Sequence, residues 1–168
     1  MGENIYYCRL NSVKSTKTVA VIGDSHAHVA YPGIAELAAS RQMNTVLLAN
    51  NSCPPFMGAE MGDTPEDKAI CRRNIEQLLK VVESKPDIQT VFVFSRGAKY
   101  FTGIGFGPAE ASEARAPFIA QELFFKGLEA TVQRLQKAGK KVYYISENPE
   151  IGISPMACVT RPLRNQAL

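Results

Sequence analysis

Nothing in the 168 residues approaches the about 20 consecutive apolar residues that a membrane-spanning helix requires. No positively charged and then apolar segment opens the chain as a secretory signal would. These two absences give the expectation of a soluble piece, and they leave open a signal or membrane part upstream. Strong charge of one sign is lacking too, since 19 Lys and Arg stand against 16 Asp and Glu, a net charge of +3. The densest basic run, Lys137, Lys140 and Lys141, falls at a predicted helix end, where the helix dipole favours cations. Nucleic-acid binders usually show a clustered basic face with a reading helix, so nucleic acid is not expected as a partner. Cys-x-x-Cys is absent and no Cys/His cluster has zinc-ligand spacing, so no metal is expected. Histidine is scarce: the chain has 2, His26 and His28.

What is present reads as one globular domain. At 45% hydrophobic, 168 residues can bury a proper core. Thr18–Ile22 is a candidate buried strand. Residues 27–41 follow as a helix, with Val29, Ile34, Leu37 and Ala38 as its apolar face and Pro32 making the first turn irregular. Thr45–Ala49 is a second strand, and residues 50–64 form a Pro/Gly-rich loop. Thr64-Pro65-Glu66-Asp67 reads as an N-cap, a first-turn proline and acidic early residues. A helix runs from there or from Cys71 to about Glu83 and buries Ile75, Leu78, Leu79 and Val82. Pro86 ends it, and Thr90–Phe94 is a third strand. Residues 97–115 are a long loop carrying Tyr100, Phe101 and Phe106, read either as a mobile lid holding sugar rings or as a loop packed under neighbouring parts. Pro117–Ala138 is a helix stopped by Gly139, and Lys141–Ser146 is a fourth strand. Residues 1–16 read as an N-terminal extension or linker. This βαβα order specifies a parallel sheet with helices on both faces, a three-layer α/β/α sandwich of flavodoxin-like type. Right-handed crossovers put every strand's C-terminal end on one edge.

The stretch Val21-Ile22-Gly23-Asp24-Ser25-His26-Ala27-His28 lies where the first strand gives way to a helix. It places Ser25 at a sharp turn, its hydroxyl beside a helix N-terminus, where N–H groups can receive a developing oxyanion. Gly23 lets the backbone turn tightly. The same residues also suit plain capping, with Asp24 and Ser25 as an N-cap pair. Of the four cysteines, Cys53 lies in a loop with two prolines and Cys71 just before a helix. Pairing them would stiffen a segment with little core of its own and implies an oxidising compartment. Buried free thiols are the alternative, because connectivity cannot be read from sequence. Cys8 and Cys158 are left to pair with each other or outside the chain.

Gly23-Asp24-Ser25 after an apolar strand resembles the first block of the SGNH/GDSL hydrolase superfamily. Together with Asn51-Ser52-Cys53-Pro54-Pro55 it looks most like the SGNH domain fused to acyltransferase-3 membrane proteins, which modify bacterial cell-surface glycans. The resemblance covers residues 17–160 in order of elements. It implies Ser25 as nucleophile, with oxyanion donors from the Ser25 N–H and from the loops after the second and third strands. In the second loop the Ser52 backbone N–H is the expected donor, with the Asn51 side chain as alternative. In the third, the family's asparagine is replaced by Ser95-Arg96-Gly97, where Arg96 supplies charge or N–H groups, or simply pairs with a surface carboxylate. Asp24 shapes the turn and is not a triad acid, and His26 and His28 belong to the turn. The family draws its base from an Asp-x-x-His motif near its C-terminus, and no such motif occurs here. The expectation is therefore that the last strand and the catalytic His loop are missing, and that this fragment alone is inactive or nearly so.

The resemblance implies a periplasmic or extracellular domain of an inner-membrane protein. There Ser25 would take an acyl group, acetyl by expectation, from a donor delivered by the membrane acyltransferase domain and pass it to a glycan. No metal or organic cofactor is required. A carbohydrate esterase of the same fold, or a catalytically dead glycan-binding or docking module, are the alternatives.

Overall fold

The computed structural model describes residues 7–97, 100 and 120–147. Its elements are β1 (Tyr7–Asn11), β2 (Thr18–Gly23), α1 (Ser25–Ser40), β3 (Asn44–Ala49), α2 (Pro65–Ser84), β4 (Ile88–Phe94), α3 (Gln121–Lys137) and β5 (Lys141–Ile145). The strands form one sheet in the order β1-β3-β2-β4-β5. Strands β3, β2, β4 and β5 pair in parallel, and β1 lies antiparallel on β3, Tyr7 opposite Ala49. The predicted α/β/α architecture stands, with one correction. Within the stretch read as an extension, residues 7–11 are an edge strand, so the sheet is mostly rather than wholly parallel. An edge strand shielded on one side needs no continuous apolar run, which is why Tyr7-Cys8-Arg9-Leu10-Asn11 gave no strand signal.

Every residue of β2 is buried, as a central strand covered on both faces requires. Ala20, Ile22, Leu48, Val91 and Val93 pack on one face beneath Ile75, Leu78, Leu79 and Val82 of α2 and Phe124 and Leu135 of α3. These α2 positions are the four predicted from its periodicity. On the other face Val21, Leu47 and Ala49 meet Ala27, Tyr31 and Ala35 of α1. Here the predicted face holds in part: Ala38 is buried and Ile34 packs against this cluster. Val29 is 78% and Leu37 49% exposed, while Ala27 and Ala35, outside the predicted face, are buried against the sheet. Close approach of helix to sheet favours alanine there, and hydrophobicity alone points to the larger residues. Pro32 lies inside α1 without ending it.

The ends are capped as their chemistry predicts. Thr64 Oγ1 accepts from the Asp67 N–H at 3.1 Å, and an Asp67 carboxylate oxygen accepts from the Thr64 N–H at 3.2 Å, a reciprocal capping box. Gly139 takes φ +76° after α3, and Lys140 N–H donates to the Leu135 carbonyl at 3.0 Å. Across α2 and α3, Arg134 donates to Glu76 at 2.6 and 3.0 Å and to Glu83 at 2.6 and 2.8 Å. Cys53 and Cys71 form a disulfide that ties the loop after β3 to α2.

Candidate active site

Parallel pairing brings the C-terminal ends of β2, β3, β4 and β5 to one edge of the sheet, in the order Ala49, Gly23, Phe94, Ile145. The order changes direction beside β2, the place where open α/β sheets hold their ligands. Gly23 is the last residue of β2 and sits against β4 so closely that any Cβ would collide with the Phe94 carbonyl oxygen. Only glycine fits, so the tight turn before Ser25 is fixed by the neighbouring strand as well as by backbone freedom.

Asp24 organises this edge. It is fully buried and caps α1, and each carboxylate oxygen has its own set of donors. Oδ1 accepts from the His26 N–H at 2.8 Å. Oδ2 accepts from the Arg96 N–H at 2.8 Å and from the Tyr100 hydroxyl at 2.8 Å. One side chain thus joins the first turn of α1, the exit of β4 and a residue of the following segment. Ser25 comes next, the first residue of α1, and is partly exposed. Its own N–H is among those left unpaired by intrahelical bonding at a helix start.

His26 stands between two carboxylates. Its Nδ1 lies 3.3 Å from Asp24 Oδ1 and its Nε2 3.5 Å from Glu147 Oε2, just past β5. The Asp24 contact, followed by the negative charge of Asp24 and Glu147, raises its pKa above 6.5 against the opposing effects of burial and Arg96. Among the described residues no hydrogen bond joins the Ser25 hydroxyl to either imidazole. Tyr100, read either as a lid aromatic or as part of a packed loop, is buried, and burial with the adjacent Asp24 carboxylate pushes its hydroxyl well above its ordinary pKa. It stays protonated and donating. Phe101 and Phe106 lie outside the described residues, as does Cys158.

The expected oxyanion residues divide. Asn51 and Ser52 follow β3 on the correct edge and are exposed, Ser52 with φ +56°. Asn50, which pattern reading passed over, is buried and donates its N–H to the Gly23 carbonyl at 2.9 Å. The Arg96 N–H is committed to Asp24, so its backbone is not an oxyanion donor. His28 is half-buried in the first turn. Two further groups were invisible to motif reading: Glu147, and the Tyr144 hydroxyl, which lies 3.3 Å from that of Ser95. They lie within or just past β5, which carries no motif, and only the sheet order brings them to Gly23. Among the described residues no group of three His, Cys, Asp or Glu could hold a metal ion.

Residues 2–168 match the family described as the SGNH domain fused to AT3 domains. The chain belongs to that family. In that family the SGNH domain is fused to AT3 domains. Among solved structures it is similar to the periplasmic domain of the lipopolysaccharide acetyltransferase of Salmonella ser. Paratyphi A. That likeness has a TM-score of 0.54 at 12% identity over 79% of this chain, and at that identity it bears on fold alone. The chain spans 45% of that neighbour's length. No curated protein matches it. No described helix is long and apolar enough to cross a membrane.

Proposed function

We propose that this SGNH domain carries the nucleophile of an O-acyltransferase working on a cell-surface glycan at the periplasmic face. Ser25 Oγ attacks the carbonyl carbon of an acyl donor presented by the AT3 domain, and its proton passes to a general base. The tetrahedral oxyanion is met by the Ser25 N–H and the N-terminal dipole of α1, with the Asn51–Ser52 loop as the second source of donors. Collapse expels the donor's leaving group, which takes up the proton, and leaves an acyl ester on Ser25. A glycan hydroxyl then attacks that ester, loses its proton to the same base, and Ser25 is released protonated.

One observation carries the reading: Ser25 opens α1 at the sheet's carboxyl edge, on a turn that Gly23 and buried Asp24 hold rigid, in a chain of this family. Neither His26, engaged by two carboxylates, nor Asp24, engaged by three donors, is assigned as the base. A Ser25→Ala change in the full-length protein tests it. The O-acyl content of the surface glycan, measured by mass spectrometry, should fall to the level of a strain lacking the protein. Unchanged acylation would refute the proposal.

A further inference from the structure

His26 bridges two points that the sheet keeps apart. Asp24 follows β2 and Glu147 follows β5, with β4 between them, a gap of about 10 Å at ordinary strand spacing. The imidazole fills it, Nδ1 toward Asp24 Oδ1 at 3.3 Å and Nε2 toward Glu147 Oε2 at 3.5 Å. Both carboxylates are well shielded, with Asp24 at 0% and Glu147 at 11% side-chain exposure. A neutral imidazole has one N–H and one lone pair, so one of these carboxylates would face a lone pair. The imidazolium has no ring lone pair, and its charge attracts both carboxylates at ion-pair distance.

From this geometry we infer that His26 works as a cationic tie, a positioning residue that fastens the end of β5 to the turn holding Ser25. This rests on the reading of Ser25 as nucleophile only for its purpose, not for its existence. The charged and titratable groups around the ring are Asp24 on the preceding turn, Glu147 beyond β5, Arg96 beyond β4, and Tyr100 through Asp24. Arg96 opposes the imidazolium charge, and the two carboxylates outweigh it. Because the folded state raises the histidine's pKa, the tie is fully present below about pH 6.5 and is lost as pH rises through the higher folded value. It also removes His26 from competition for the Ser25 proton.

The chain's 2 histidines make the test direct. Ring resonances of the protein are titrated by NMR, with His28→Gln assigning His26, and the titration is repeated in Glu147→Gln. The tie predicts a His26 midpoint above 6.5 that moves down when Glu147 loses its charge. A midpoint at or below 6.5, or one unmoved by the substitution, would overturn it. Thermal melts across the same pH range give a second readout. The melting-temperature deficit of Glu147→Gln should shrink as pH rises through the His26 midpoint, and a deficit that does not shrink would contradict the tie. Neither readout involves Ser25 chemistry, so both decide the matter even if the acyl-enzyme reading fails.

Discussion

Replacing Asp24 with asparagine changes one oxygen to an NH2 group and keeps the volume, yet the site should not tolerate it. The carboxylate offers two acceptor oxygens to donors on both sides: His26 N–H at 2.8 Å on one, Arg96 N–H and Tyr100 hydroxyl at 2.8 Å on the other. An amide has a single acceptor. With its oxygen toward Arg96, its NH2 group meets the His26 N–H; turned over, it meets the Arg96 N–H. Either way a backbone donor at a fully buried position loses its partner. A hydrogen bond to a charged acceptor contributes about 1.5–3 kcal/mol, and a stranded buried donor costs about 1–3 kcal/mol. The expected loss is therefore about 3 kcal/mol, which for a domain of this size lowers the melting temperature by about 6–12 °C. Urea and thermal unfolding of the Asp24→Asn protein, disulfide intact, measure it directly. A loss within about 0.5 kcal/mol of zero would refute the view that Asp24 holds this edge together.

Two further outcomes follow from the packing around the site. Reducing Cys53–Cys71, which lie 18 residues apart, or replacing both by alanine, should cost about 3 kcal/mol by loop-closure entropy, seen as a lower melting temperature that reductant does not lower further in the double variant. Arg134→Met leaves Glu76 and Glu83 facing each other across its place and should cost about 1 kcal/mol, since these groups are partly exposed and screened by salt. Hydrogen bonding to Arg134 lowers the Glu76 pKa below 4.5, so the contribution is present above that pH and lost as pH falls through the folded value. Denaturation midpoints of the two proteins should accordingly converge on acidification, and should also approach each other in high salt.

Much of this fold was legible because its signals are local. The Thr64-Pro65-Glu66-Asp67 cap, the Ile75, Leu78, Leu79 and Val82 stripe, and the Gly139 stop each depend on a few neighbouring residues. The strand-to-helix turn at Ser25 was legible for the same reason. Residues 7–11 were not, because a short edge strand derives its stability from pairing with β3 rather than from its own pattern. Of the α1 face, Ile34 and Ala38 were read correctly, but Val29 and Leu37 were not, because the sheet selects alanines for closeness, a tertiary demand that hydrophobic periodicity does not encode. At the site, Asp24 and the turn could be read from sequence, whereas Tyr100 and Glu147 could not. Each reaches the turn from more than 70 residues away, through the register of β2, β4 and β5. Arg96 was placed correctly beyond β4, but the use of its N–H by Asp24 follows only from that register.

Covalent capture of Ser25 tests the central claim most directly. The full-length protein is treated with a fluorophosphonate and digested, and the labelled peptide is identified by mass spectrometry. The account predicts one adduct, on Ser25 within Gly23-Asp24-Ser25-His26, lost in Ser25→Ala and retained in His28→Gln. No adduct on Ser25, or labelling that survives Ser25→Ala, would contradict it.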